Sequence, residues 1–290
     1  MFVGHITDVK ADFKKPLLQY NKRKLLVNNG DQFFICNNVC PHQGSLIVSK
    51  CSKNISCQYH GWSWDSQGQP TSAGSTALAN NSKLSMVPVY SYNGLLFTYP
   101  VNLSRFRWIP FQYFRLVEER IDTVNTDATN IVDVFLDVDH IPVVHQDVYP
   151  GIGISDAADV DWEYFDWGSV QVVSKSGEYS TEFAETLIGA DEERIAAFWV
   201  TLYPGTMIEW QPGALFVTVC IPNGKNTDVV VMKYRDTRYS DTNWKLNSEI
   251  WELAWAQDRH QAESIVYTCN FPPHLEPSKM HYRNWQASRK

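Results

Sequence analysis

Cys40-Pro-His42-Gln-Gly44 and Cys57-Gln-Tyr-His60-Gly61-Trp62 are the stretches that decide how this chain reads. Each places a thiol and an imidazole in one short hook, and fourteen residues separate His42 from Cys57. Two Cys and two His can hold zinc, but zinc sites of this composition more often pair Cys with Cys and His with His along the chain. A Cys-x-His hook facing a Cys-x-x-His hook lets each loop give one thiolate to one iron and one imidazole to the other iron of a [2Fe–2S] cluster. Neutral imidazoles in place of two thiolates remove negative charge, so such a cluster accepts an electron more readily. Pro41 and Gly44 allow a tight first loop, and Gly61-Trp62 can cover the second from water, which supports the potential through a low local dielectric. Cys36 and Cys51 fit neither hook and read as core or loop thiols, while Cys220 and Cys269 have no partner at metal spacing.

The rest of the composition narrows the context. A chain of 290 residues suggests two domains, at about one per 150 residues. Thirty-two acids against 25 bases give a net charge of -7. That argues against nucleic acid, since no basic stripe is available to displace counterions. No apolar run approaches the roughly 18 residues of a membrane span, so a soluble protein with no membrane partner is expected. Met1 to Pro16 shows no apolar segment behind a basic end, which points to the cytoplasm. Six cysteines are too few for a disulfide scaffold and read first as metal ligands. Aromatic content is 13% with eleven tryptophans, which supplies either large core rings or an aromatic-lined substrate cavity.

Residues 1–105 read as a small all-β domain. Lys24–Asn28 and Gln32–Cys36 flank Asn29-Gly30-Asp31, strand and turn text continues through Asp65–Gln69, and Leu84–Tyr99 forms a hairpin around Tyr92-Asn93-Gly94. Residues 106–290 read as a second domain. Thr126–Val138 has helical spacing, whereas Asp156–Val173 is acidic, Trp-rich and poorly periodic. Strands are expected over Arg194–Thr201, Met207–Trp210, Leu215–Ile221 and Val229–Tyr234. A long helix follows from Thr242 to about Thr268, capped by Asp241 or Thr242, with Trp244, Ile250, Trp251, Leu253 and Trp255 at apolar positions. The fold class is therefore α+β: an all-β N-terminal domain, then an antiparallel sheet around a long helix.

Asp137-Val-Asp-His140-Ile-Pro-Val-Val-His145 carries the second constellation. On an unbroken helix, positions five apart point about 140° away from each other. Pro142 is expected to break the helix after His140 and let His145 swing back. Two His with a distant carboxylate would make the facial triad of non-haem iron(II), which leaves positions open for O₂. Asp137, three residues before His140, is well placed to accept the second ring proton of a ligating His.

These two motifs, in this order, resemble those of the Rieske non-haem iron oxygenases, the terminal oxygenase components of multicomponent mono- and dioxygenases. The likeness extends to Val87-Pro88-Val89 with Gly94-Leu-Leu-Phe97 and to Leu136 through His145. Within the family the chain is most similar in style to the vanillate O-demethylase-like oxygenases, which form homotrimers. The resemblance implies that Cys40, His42, Cys57 and His60 hold a Rieske cluster and that His140 and His145 hold a catalytic iron. It implies Asp258, in Ala256-Gln257-Asp258-Arg259, as the third iron ligand, although Gln257 stands where an acid is common. It also implies Asp137 as the bridge between His140 and His60 of a neighbouring subunit, with Asp133 and Asp139 as rivals. Val134 replaces an Asn that many members place beside the iron, and the gap between the hooks is slightly short for the family.

The function so implied is an electron relay. A separate reductase or ferredoxin, drawing on NAD(P)H, would reduce the cluster, and one electron would pass through His60, Asp137 and His140 to the iron, where O₂ is used on a small, aromatic organic substrate. Phe198, Trp199, Leu202, Tyr203, Met207 and Trp210 either line an apolar pocket or fill the core. An aromatic cavity suits a planar ring, and it suits a quaternary ammonium group through cation–π contacts. A Rieske electron carrier would need only the first 105 residues, and a zinc-ribbon binding module would be colourless.

Overall fold

The turn expected at Asn29-Gly30-Asp31 forms in the computed structural model of the chain, which describes residues 1–72, 82–92, 94–101, 111–148, 160–174, 195–266 and 277–289. Asn28 and Asn29 close it by accepting main-chain N–H bonds from Gly30 (2.9 Å), Asp31 (3.1 Å) and Gln32 (2.8 Å). The chain divides into two units, Met1–Gln112 and Tyr113–Lys290. The expected boundary near Arg105 lies outside the described residues, as do Asn93 and Cys269.

The first unit is all β. Its strands are β1 (Phe2–His5), β2 (Lys14–Pro16), β3 (Lys24–Asn28), β4 (Phe33–Asn37), β5 (Ile55–Ser56), β6 (Ser63–Trp64), β7 (Pro70–Ser72), β8 (Val87–Pro88), β9 (Tyr90–Tyr92) and β10 (Leu95–Phe97). They form three small sheets, β1-β10-β9, β2-β3-β4-β8 and β5-β6-β7. Leu25, Val27, Cys36, Trp62 and Trp64 pack with Cys40 and Cys57 in one apolar cluster. Cys36 is thus the core thiol expected, and Cys51 is exposed.

The second unit is built on β11 (Phe114–Val124), α1 (Ala128–Leu136), the single turn α2 (Ile141–Val144), β12 (Val160–Phe165), β13 (Gly168–Ser174), β14 (Ile195–Leu202), β15 (Thr206–Gln211), β16 (Ala214–Asn223), β17 (Asn226–Asp236), α3 (Asp241–Ser264) and α4 (Pro277–Ala287). One seven-stranded sheet runs in the order β11-β17-β16-β15-β14-β13-β12. Every neighbouring pair in it is antiparallel. The inward stripe of α3 is Asn247, Trp251, Ala254, Trp255 and Ala262, a spacing that keeps one helical face on the core. Trp251 and Trp255 pack there with Phe216 and Val231 of the sheet, Val132 of α1 and Tyr282 of α4.

The structure adds the C-terminal helix α4 and departs from the sequence reading in four further places. β11 was not anticipated, because this edge strand is charged along much of its length. Residues within Asp156–Val173 form the hairpin β12–β13: Ser169, Val170, Gln171, Val172 and Val173 are all buried, so no alternation marks the strand. The cap of α3 is Ser240, whose side chain accepts from the N–H of Asn243 at 3.1 Å. Finally, α1 ends at Leu136, with Asp137 already extended at φ -92, ψ 100. Pro142 therefore does not break that helix; it sits in the first turn of α2, where its missing N–H costs no bond.

Candidate metal centres

The two hooks of the first unit close in the same way. The N–H of Cys40 donates to the carbonyl of Ser45 (2.8 Å) and that of Gly44 to Cys40 (2.9 Å). Likewise, the N–H of Cys57 donates to Trp62 (2.7 Å) and that of Gly61 to Cys57 (2.9 Å). Gly44 and Gly61 both have φ of 74°, a conformation that a side chain would strain. Each hook thus turns back within its own few residues, and its two ligands are set locally.

The loops then sort their ligands by type. Cys40 and Cys57 are buried at 3% and 2% exposure, and their sulfurs share a hydrogen bond. His42 and His60 meet edge to face with ring centroids 4.7 Å apart, and His60 is exposed. Trp62 stacks flat on His42 at 4.8 Å and 7°. Burial raises the pKa of Cys40, while the N–H groups of His42 and Gln43 point at its sulfur and work the other way. A buried thiol pair behind an outer imidazole pair fits a cluster with one Cys₂ iron and one His₂ iron, and the inward N–H groups would favour its charged sulfurs.

In the second unit, His140, His145 and Asp258 converge, one ligand atom from each lying within 4.8 Å of the others. The Nε2 atoms of the two rings are 3.1 Å apart, and Asp258 Oδ1 lies 3.2 Å from His140 and 3.0 Å from His145. The extended break at Asp137 and the turn of α2 bring the two rings together, and the inward stripe of α3 supplies the carboxylate. The opposite nitrogens are held as well. His145 Nδ1 donates to Gln257 Oε1 at 2.7 Å, and His140 Nδ1 donates to the main-chain carbonyl of Asp137. Both rings thereby turn Nε2 toward one point, the nitrogen through which each would ligate. The position where an acid was expected is thus filled by an amide that does the same orienting work.

Electrostatics agree with that grouping. Burial opposes charge on Asp258, but hydrogen bonds from His140 and His145 hold its pKa below the usual carboxylate range. Burial likewise opposes protonation of His145, yet Asp258 and Gln257 outweigh it and raise its pKa. Two imidazoles and one carboxylate on one side, with space on the other, form the donor set that suits non-haem iron(II).

Asp137 sits beside the triad in a way the spacing did not foretell. Its carbonyl, not its carboxylate, takes the His140 ring proton. The carboxylate accepts from the N–H of Asp139 at 3.1 Å and pairs with Lys279 of α4 at 2.9 Å, remaining 29% exposed. Of its rivals, Asp133 is buried against Arg283 and Asp139 is exposed.

A cavity of about 430 Å³, part of it open to solvent, adjoins the triad and is lined also by Phe135, Ile141, Gln171, Trp199 and Glu209. A neighbouring one shares Phe135, Glu209, Ala254 and Asp258 and adds Met207, Phe216 and Trp251. Of the candidates for an apolar pocket, Trp199 and Met207 line these spaces. Phe198 and Trp210 instead stack on each other at 5.3 Å, and Leu202 and Tyr203 are core. Sequence reading missed Glu209 and Gln171, which lie in strands with no motif around them. Burial, reinforced by the charge of Asp258, pushes the Glu209 pKa up to about 7, against His145 and hydrogen bonds from Trp199 and Trp251.

Known proteins share both halves. Residues 1–90 match the Rieske [2Fe-2S] domain, and residues 130–238 match the catalytic domain of the ring hydroxylating alpha subunit. The putrescine 2-hydroxylase of Ralstonia nicotianae is 26% identical over 233 residues, which is 73% of this chain and 63% of that protein. The putrescine 2-hydroxylase of Bordetella bronchiseptica is 22% identical over 272 residues, 81% of this chain and 62% of its own length. The chain thus spans less than two thirds of either relative. Among solved structures, the quaternary ammonium Rieske monooxygenase CntA in complex with L-carnitine superimposes with a TM-score of 0.69 at 14% identity, covering 91% of this chain and 76% of that one. Pseudomonas putida CBB5 NdmA with caffeine gives 0.56 at 16% identity, covering 91% and 80%. These structures share the fold. Carrying both domains in this order, the chain belongs to the Rieske non-haem iron oxygenases.

Proposed function

We propose that the chain is a terminal oxygenase component that takes electrons from a separate reductase or ferredoxin, fed by NAD(P)H, and uses O₂ to hydroxylate or demethylate a small organic substrate. One observation carries this reading: His140, His145 and Asp258 meet at a cavity partly lined by aromatic rings, in a chain that also sorts two thiols from two imidazoles. A bound cluster would supply single electrons and a bound iron would activate O₂. The protein does the rest. Gln257 and the Asp137 carbonyl hold the imidazoles in register, and Phe135 and Trp199 keep water from the substrate. In monooxygenation two electrons and two protons balance the second oxygen atom as water.

Asp137 is the bridge between the two centres of adjacent subunits in a homotrimer, a role its partly exposed carboxylate supports. The names of the relatives found, which act on putrescine or bind carnitine or caffeine, support a nitrogen-bearing substrate as readily as an aromatic acid. The test is metal analysis and EPR of the purified protein, with O₂ uptake in the presence of a reductase and a panel of aromatic acids, methyl ethers and amines. About three irons per chain, a Rieske signal on reduction and substrate-dependent uptake are expected. About two irons and no uptake would leave a Rieske electron carrier, and a colourless protein would leave a zinc-ribbon module.

A further inference from the structure

One row of side chains crosses the sheet beside the triad. Register pairs Gln171 of β13 with Trp199 of β14, Trp199 with Glu209 of β15, and Glu209 with Phe216 of β16. Directly opposed residues of antiparallel strands share a face, and Gln171, Trp199 and Glu209 all line the cavity that holds His140, His145 and Asp258. Gln171 is only 1% exposed, yet neither its Nε2 nor its Oε1 has a hydrogen-bond partner. Buried amides are otherwise almost always satisfied, so the missing partner belongs to something that enters the cavity. Glu209 is the complementary case. The indoles of Trp199 and Trp251 fix its carboxylate, and among the described residues no Lys or Arg lines either cavity. Lys233, next along the row from Phe216, is already held by Glu118 and Glu252.

We propose that Glu209 and Gln171 select the substrate, and that it is a short aliphatic amine whose ammonium pairs with Glu209 while a second polar group reaches Gln171. The assignment rests on the oxygenase reading only for what happens to the bound amine. An aromatic carboxylate lying along this row would face the carboxylate of Glu209, and like charges in one cavity reject a ligand strongly. A neutral ring would leave the amide of Gln171 unpaired. Faces also matter. Phe216 stacks on Trp251 at 5.0 Å and Lys233 lies 5.3 Å from its centroid, so Trp251 is poorly placed to cage a fully methylated nitrogen. A carboxylate accepting N–H bonds fits a protonated amine better. Strands two apart are about 10 Å from each other. Gln171 and Glu209 therefore suit a molecule only a few bonds long, with Trp199 beneath its methylenes.

The test is calorimetric titration of the holoprotein with n-butylamine, 1,4-diaminobutane, n-butanol and benzoate. Both amines should bind at least about tenfold more tightly than the alcohol or the acid, and the diamine more tightly than the monoamine. Glu209→Gln should abolish the preference for butylamine over butanol with iron content unchanged. Gln171→Leu should keep butylamine binding and erase the advantage of the diamine. Failure of both amines to bind, equal binding of butanol or benzoate, or undiminished amine binding by Glu209→Gln overturns the proposal. The wild-type comparison decides it even should a variant not fold. Binding needs no turnover, so amine binding without O₂ consumption would sink the oxygenase reading alone, and O₂ consumption driven by aromatic acids would sink the amine reading alone.

Discussion

Asp258 is the residue on which the second centre turns. Among the described residues it is the sole carboxylate grouped with both imidazoles, and it follows a stripe of α3 that buries Asn247, two indoles and two methyl groups. Asp258→Ala should lower iron content by about one atom per chain and leave the reduced cluster's EPR signal intact; loss of both together would place the ligand elsewhere. Asp137 divides its work between a carbonyl that orients His140 and a carboxylate tied to Lys279. Only the carboxylate is touched by Asp137→Asn. That variant should retain both metals and lose most turnover, and full activity would remove Asp137 from the electron path. The shape of the two hooks was legible in the sequence because each loop closes on its own main chain. The orienting role of Gln257 was not, since Gln257 and His145 meet only once α3 lies against α2.

At the scale of elements, the sheet edge and the long helix are tied by charge. Arg120 of β11 meets Glu118, Asp122 and Glu252, and Lys233 of β17 joins them from below. Trp255 adds an indole hydrogen bond to Asp122 at 2.9 Å. Burial opposes ionisation of Asp122 and Glu118, but the hydrogen bonds and charges around them prevail and lower both pKa values. Groups that ionise more easily folded than unfolded stabilise the fold above the ordinary carboxylate range, and that contribution is lost as pH falls through it. Thermal melting should therefore fall between about pH 5 and pH 2, and Arg120→Met should flatten that limb. The turn that starts β13 is a second sensitive point. A Cβ at Gly168 would lie 1.8 Å from the carbonyl oxygen of Thr201, main-chain atoms that cannot yield without moving β14. Gly168→Ala should lower Tm by about 5 °C or more; an unchanged melting curve would mean the β13–β14 pairing tolerates the shift.

At the scale of the whole molecule, the two centres differ in access. The hook thiols Cys40 and Cys57 are buried at 3% and 2%, whereas the cavity beside His140, His145 and Asp258 is partly open to solvent. Mild chelation should remove the single iron first, about one of three, with the reduced Rieske signal preserved; simultaneous loss would show that the triad is no more accessible than the cluster. Among the described residues no helix is long and apolar enough to cross a membrane. The sequence alone determined the two hooks, the paired imidazoles, strands β14 to β17 of the central sheet and the long helix, because spacing, turn residues and periodicity are properties of neighbours along the chain. Tertiary structure alone decided where α1 stops, which atom of Asp137 holds His140, and that Gln171, Trp199 and Glu209 stand in one row. The row depends on strand register, and the Asp137 carboxylate is drawn aside by Lys279, 142 positions away, contacts that no local pattern encodes.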